Sequence, residues 1–138
     1  MITRTAGERL AILRRAKTIA VVGASANPAR ASNFVLTYLL SSSANYEVWP
    51  VTPNEETILG APCYPSLAEL PGTPDVVDVF RRPDQLPIVA QEAVEIGAGG
   101  VWFQLGVVDP EAFERTIAAG VPMVMNTCPA IEWRKRGR

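Results

Sequence analysis

Five short apolar runs set the strongest limit on what this chain can become: Thr18–Val22, Tyr46–Val51, Val76–Phe80, Val101–Leu105 and Val121–Met125. Most are rich in valine, isoleucine, aromatic residues or methionine, and none alternates cleanly between apolar and polar. Successive side chains of a strand point to opposite faces, so a strand wetted on one face must alternate. Runs that do not alternate are buried on both faces, the condition of a parallel sheet covered by helices. The intervening segments carry the helical pattern. Leu86, Val89, Ala90, Ala93 and Val94 form one apolar stripe, and Phe34, Val35, Tyr38 and Leu39 form another.

Local signals mark where these helices begin and end. "SLAE" at Ser66–Glu69 reads as a capping box, with serine at the N-cap and glutamate three residues on. "DPEA" at Asp109–Ala112 places an N-cap aspartate before a proline at the first helical position. Gly97 and Gly120 stand where helices should stop. Thr5–Ala16, carrying Leu10 and Leu13, predicts one more helix before the first strand. Alternating strands and helices predict a three-layer, Rossmann-like, doubly wound α/β fold. Its five parallel strands are expected in the order 3-2-1-4-5, numbered along the chain. With 138 residues and no linker or repeat, residues 1–138 are expected to form a single domain with its own core.

Charge and residue usage exclude several function classes. A net charge of −1 provides no general attraction for nucleic acid or membranes. No run approaches the roughly 18–20 apolar residues that cross a bilayer. The N-terminus intersperses Arg4, Glu8, Arg9, Arg14 and Arg15 among short apolar stretches, unlike a targeting segment. A cytoplasmic protein, monomeric or homodimeric, is therefore expected. The basic run Arg134–Arg138 lacks interleaved aromatics and reads as a solvated tail. The chain has no histidine, which removes Ser–His and Cys–His nucleophile schemes and imidazole metal sites. Cys63 and Cys128 fit no zinc spacing and are expected as free thiols, with no metal site.

In a doubly wound sheet, ligands bind beyond the carboxyl ends of the strands. The loops that matter then begin at Gly23, Thr52, Arg81, Gly106 and Asn126. The first, "GASANPARAS" from Gly23 to Ser32, has one glycine where a dinucleotide fingerprint has three. Ser25 and Asn27 supply side-chain donors, and Arg30 supplies charge. Ser32 is placed to cap the next helix, whose N-terminal amides favour an anion. The second strand ends in Val51-Thr52-Pro53, not in the acid that binds a dinucleotide's ribose. Phe80-Arg81-Arg82 sets two guanidiniums at a strand end, suited to bidentate phosphate bonds, and leaves open which one faces the ligand. Gln104 and Gly106 follow the fourth strand, where Trp102 reads as core. Cys128 brings a thiol to the same rim.

Taken together, these segments resemble the small CoA-binding protein family, which is similar to the CoA-binding N-terminal domain of the succinyl-CoA ligase α subunit. The likeness extends from about Lys17 to Cys128 and rests on an ordered set of pieces. Gly23, Ser25, Pro28, Arg30 and Ser32 match the first motif at its spacing. "CYPSLAELP" at Cys63–Pro71, "VDVFRRP" at Val77–Pro83 and "WFQLGVV" at Trp102–Val108 match later ones. The resemblance implies coenzyme A or acyl-CoA as ligand. Gly23, Ser25 and Arg30 would lie at the pyrophosphate, and Arg81 or Arg82 would face phosphates. Thr52, Pro53 and Asn54 would border the adenosine, and Gln104 and Gly106 the pantetheine. Thr52 stands where the family often has asparagine, and Asn126 where it has an acid. The implied role is a non-catalytic carrier or sensor. The alternatives are an NAD(P)-type Rossmann oxidoreductase and thiol chemistry between Cys128 and CoA.

Overall fold

Along β1 (Thr18–Val22), Ile19 and Val21 face one side and Ala20 and Val22 the other, all of them buried. The structure, a computed structural model, describes residues 15–41, 46–103 and 109–124. β1 pairs in parallel with β2 (Glu47–Val51) on one side and β5 (Val76–Val79) on the other. Beyond β5 lie β6 (Val101–Phe103) and β7 (Met123–Val124), also parallel. The five-stranded parallel α/β sheet is therefore as expected. α1 (Ala31–Ser41) lays Val35, Leu36 and Leu39 over Ile19, Val21, Val48 and Trp102. α2 (Leu86–Glu95) and α3 (Pro110–Ala118) cover the opposite face, with Leu86, Val89, Ala93 and Ala112 against Val22, Val77, Val79 and Phe103. Trp102 is fully buried, as its core reading required.

The order of the strands is not the expected 3-2-1-4-5. It is β2-β1-β5-β6-β7, which places the second run at the edge and the third beside the first. Pro50 is the physical reason. A proline has no N–H for a ladder, which confines it to edge strands or bulges. The Pro50 carbonyl points away from β1 and accepts the Tyr64 N–H at 2.9 Å, and the Thr52 N–H donates to the Tyr64 carbonyl at 2.9 Å. The side of Pro50 that lacks a donor thus faces the outside of the sheet, where no full strand needs it.

At the opposite end of the sheet, Asp75 fastens β1 to β5. Its Oδ2 accepts the N–H groups of Lys17 and Thr18 at 2.7 and 3.1 Å, and its own N–H donates to Thr18 Oγ1 at 2.9 Å. Between β2 and β5 the chain forms a short antiparallel hairpin of β3 (Thr57–Ile58) and β4 (Ala61–Pro62), which the apolar pattern does not announce. Leu59 and Gly60 form its tip, both left-handed with φ of 53° and 83°. Ile58 anchors the hairpin in the α1-side core.

Helix boundaries follow the sequence in part. Asp109 Oδ1 accepts the Ala112 N–H at 3.1 Å, the expected N-cap, and α2 and α3 end within two residues of Gly97 and Gly120. Ser66 behaves differently. It heads a single 3-10 turn, Leu67–Glu69, and its hydroxyl bonds Glu69 Oε2 at 2.9 Å instead of capping backbone. Pro71 explains this: the residue before a proline is driven to extended backbone, and Leu70 has ψ of 152°. The strands at Tyr46, Phe80 and Val121 start or stop one or two residues inside the expected runs. The expected helix over Thr5–Ala16 lies largely outside the described residues, as do Leu105, Met125 and the basic tail. Among the described residues, no helix is long and apolar enough to cross a membrane.

Candidate functional site

Gly23, the first residue past β1, is where three strand ends are laced together. Its N–H and that of Ala24 donate to the Val51 carbonyl at 3.1 and 3.4 Å, tying β1 to β2. The Phe80 N–H donates to the Val22 carbonyl at 2.9 Å, tying β1 to β5. Gly23 has φ of +84°, and a Cβ placed on it would sit 2.1 Å from the Phe80 carbonyl oxygen. No side chain fits there. The loops that follow β1, β2 and β5 therefore leave from one crowded edge, as the fold rule for ligand sites anticipates.

The first loop is braced by its own side chains. Ser25 Oγ accepts the Asn27 N–H at 3.0 Å, and Asn27 Oδ1 accepts the Ala29 N–H at 2.9 Å. Both residues were expected to donate to a ligand. Each uses an oxygen on the loop, and neither bond uses its hydroxyl or amide hydrogens. Asn33, buried in the first turn of α1, donates its Nδ2 hydrogen to the Ser25 carbonyl at 3.0 Å. No motif in the sequence points to Asn33, although an asparagine among the buried positions of an apolar helix is the available signal. Ser32 is not the cap. α1 begins at Ala31, and the Arg30 carbonyl accepts the Asn33 N–H at 3.1 Å, because the turn from Asn27 to Arg30 already closes the chain into the helix. Ser32 lies inside the first turn, 3% exposed. Pro28 and Arg30 are exposed at the loop surface.

In the loop after β5, Phe80 is half-buried against the α1-side core, and Arg81 and Arg82 are exposed. Arg82 Nε lies 3.8 Å from Asp84 Oδ1, a solvated pair of little energetic weight. Among the described residues, Arg30 and Arg81 make no ion pair. Two guanidiniums are thus uncommitted in loops that share the Gly23 edge.

The loop after β2 turns into a cleft of about 380 Å³ bordered by Thr52–Glu56, Cys63 and Pro65. Thr52 is 5% exposed, and its Oγ1 accepts the Asn54 N–H at 3.2 Å, which folds Pro53 and Asn54 over it. The Cys63 N–H donates to the Glu56 carbonyl at 2.9 Å, so the hairpin forms the far wall. The Cys63 thiol is half-buried, and burial, then the Glu55 carboxylate, push its pKa above the ordinary thiol value. The sequence marks Cys63 as a free thiol and as the start of the Cys63–Pro71 segment; its place in the cleft follows from the hairpin, for which no local pattern gives warning. Gln104, Gly106, Asn126 and Cys128 lie outside the described residues. Among the described residues, no group of acidic and cysteine side chains is arranged to hold a metal.

Comparison with known proteins agrees with this architecture. The chain is 42% identical over 117 residues to YneT, an uncharacterized protein of Bacillus subtilis, with 85% of each chain covered. The solved structure of a hypothetical protein from Pyrococcus horikoshii OT3 superimposes with a TM-score of 0.90 at 39% identity, covering 96% of this chain and 92% of that one. A stretch of 91 residues is 32% identical to the ADP-forming acetate–CoA ligase I of Archaeoglobus fulgidus and covers 60% of this chain but 13% of the ligase. The match to the family described as a CoA binding domain runs over residues 17–134, nearly from β1 to the end of the sequence, and on that extent the chain belongs to the CoA-binding domain family.

Proposed function

We propose that this protein binds coenzyme A or an acyl-CoA across the carboxyl edge of its sheet and acts as a non-catalytic carrier or sensor. The observation that carries the reading is the pair of uncommitted guanidiniums, Arg30 and Arg81, on loops joined at Gly23. Coenzyme A is a polyanion with a pyrophosphate at its middle, and arginine binds phosphate through charge-assisted, bidentate hydrogen bonds. Gly23 lets the first loop run against β5. Ser25 and Asn27 keep donor hydrogens for the pyrophosphate, Pro28 stiffens the loop, and Ser32 lies where the N-terminal amides of α1 favour an anion. Arg81 is the arginine assigned to phosphate, with Phe80 as its apolar base, because it is the first residue of the loop beyond Phe80 and makes no ion pair among the described residues. The 3.8 Å Arg82–Asp84 contact is too weak to decide the choice. Thr52, Pro53 and Asn54 border the adenosine. Gln104 and Gly106 are assigned to the pantetheine side.

Two features support a role without catalysis. The chain has no histidine to carry a phosphoryl group. It matches only 13% of the A. fulgidus ligase, so the shared segment is read as the part that holds the nucleotide and not as the reaction centre. Calorimetric titration and thermal unfolding with CoA, acetyl-CoA and NAD test the reading. CoA and acetyl-CoA are expected to bind, and either at 100 times its Kd adds about 2.7 kcal/mol of stability. A clear stabilisation by NAD with none by CoA overturns it. Turnover of acetyl-CoA by the protein alone overturns the carrier role.

A further inference from the structure

The outer part of the first loop, Ala26–Arg30, is exposed, so burial in the core does not fix its shape. Hydrogen bonds do, and two of them converge on Asn33. Its backbone N–H donates to the Arg30 carbonyl at 3.1 Å, and its side-chain amide donates to the Ser25 carbonyl at 3.0 Å. One residue thus grips the loop on both sides of the turn at Asn27. The bonds from Asn27 to Ser25 Oγ and from Ala29 to Asn27 Oδ1 stay within the loop and shape it, whereas the Asn33 amide fastens it to α1. Asn33 is itself firmly held: it is 8% exposed, Thr37 Oγ1 donates to its carbonyl at 2.9 Å, and Val35 and Leu36 beside it lie in the core. A buried amide destabilises a fold unless it is hydrogen-bonded. This one is directed at the loop that carries Arg30, one of the two uncommitted guanidiniums.

We infer that Asn33 is a positioning residue for the anion site: it acts through the first loop, docking it on α1 so that Arg30 meets a phosphate from a preset position. The inference rests on the CoA reading above and adds to it the residue that makes the loop ready to bind. A loop held in its binding conformation before the ligand arrives loses less freedom on binding, which raises affinity. Removing the amide leaves that ordering to the ligand, and the loss of one such hydrogen bond corresponds to about a tenfold fall in affinity.

A double-mutant cycle on the full chain, read by calorimetric titration with CoA, tests this. Asn33→Leu keeps the bulk of the side chain without its donor, and Asn33→Ala removes both in a residue that favours helix, so one of the two serves if the other does not fold. Urea unfolding checks that each variant is fully folded under the conditions of the titration. Each is expected to bind CoA about tenfold more weakly than the wild type. Arg30→Ala supplies the readout that a merely structural role would not move. It is expected to weaken CoA binding about tenfold or more in the wild type but about threefold or less beside either Asn33 substitution, because the guanidinium is no longer preset. Unchanged affinity in folded Asn33 variants overturns the inference while the CoA reading stands. So does an Arg30→Ala loss that is absent from the wild type or equal in both backgrounds. Failure of the wild type to bind CoA overturns that reading as well.

Discussion

Replacing Gly23 with alanine separates two costs that glycine avoids, and the hairpin supplies the control. At Gly23 an added Cβ falls 2.1 Å from the Phe80 carbonyl oxygen, whereas ordinary contact begins at 3.4 Å, so the strand ends must part by about 1.3 Å. At Gly60, whose φ of +83° nearly equals the +84° of Gly23, an added Cβ meets nothing within 4 Å. Both variants carry the left-handed penalty of about 1–2 kcal/mol for an L-residue. Only Gly23→Ala also strains the Phe80-to-Val22 and Gly23-to-Val51 hydrogen bonds, each worth about 0.5–1.5 kcal/mol. Gly23→Ala is therefore expected to cost about 2–5 kcal/mol and Gly60→Ala about 1–2 kcal/mol. In urea unfolding, with a slope of about 2 kcal/mol per molar, the Gly23 midpoint falls by roughly 1–2.5 M and the Gly60 midpoint by less than about 1 M. Equal losses in the two variants would refute the claim that the β1, β2 and β5 ends are packed against one another at this residue.

The arginine assignment predicts unequal effects. Arg81→Ala should weaken CoA binding by roughly 10- to 150-fold, as for loss of a charged hydrogen bond, while Arg82→Ala costs little; equal losses by titration calorimetry would refute it. Asp75→Asn should lower stability by about 1–3 kcal/mol in urea while leaving nucleotide affinity unchanged, because its carboxylate holds the β1 amides at the far end of the sheet. For Cys63, a raised pKa means that the folded state binds the proton more tightly than the unfolded state, so stability falls as pH rises through the alkaline range. Peptide mapping after iodoacetamide treatment should accordingly show Cys63 alkylated slowly at neutral pH. Rapid alkylation there would contradict the environment described, since the thiolate is the reactive form.

Much of the fold could be read from the residues because it depends on local pattern. The apolar runs become strands where expected, since a strand covered on both faces is largely apolar on both, with buried Asp78 of β5 as a polar exception. Asp109 caps α3 because the cap bond spans three residues. Two misreadings were within reach of the sequence: Pro50 marks β2 as an edge strand, and Pro71 halts the turn that Ser66 begins. The candidate site was legible as a set of loops, but the work of its individual side chains was not. Ser25 and Asn27 brace their own backbone, Ser32 lies inside its helix, and Arg82 turns to Asp84.

The sequence by itself determined that this chain forms a parallel sheet wrapped in helices, because hydrophobic period and capping act over a few residues. Tertiary structure alone decided that Gly23 meets Phe80, that Asn33 holds the first loop, and that the β3–β4 hairpin closes a cleft around Thr52 and Cys63. Those contacts join segments that are distant in the chain or depend on where a helix is docked. Their energies depend on which surfaces the folded sheet brings within a few ångströms, and no local run of residues encodes that proximity.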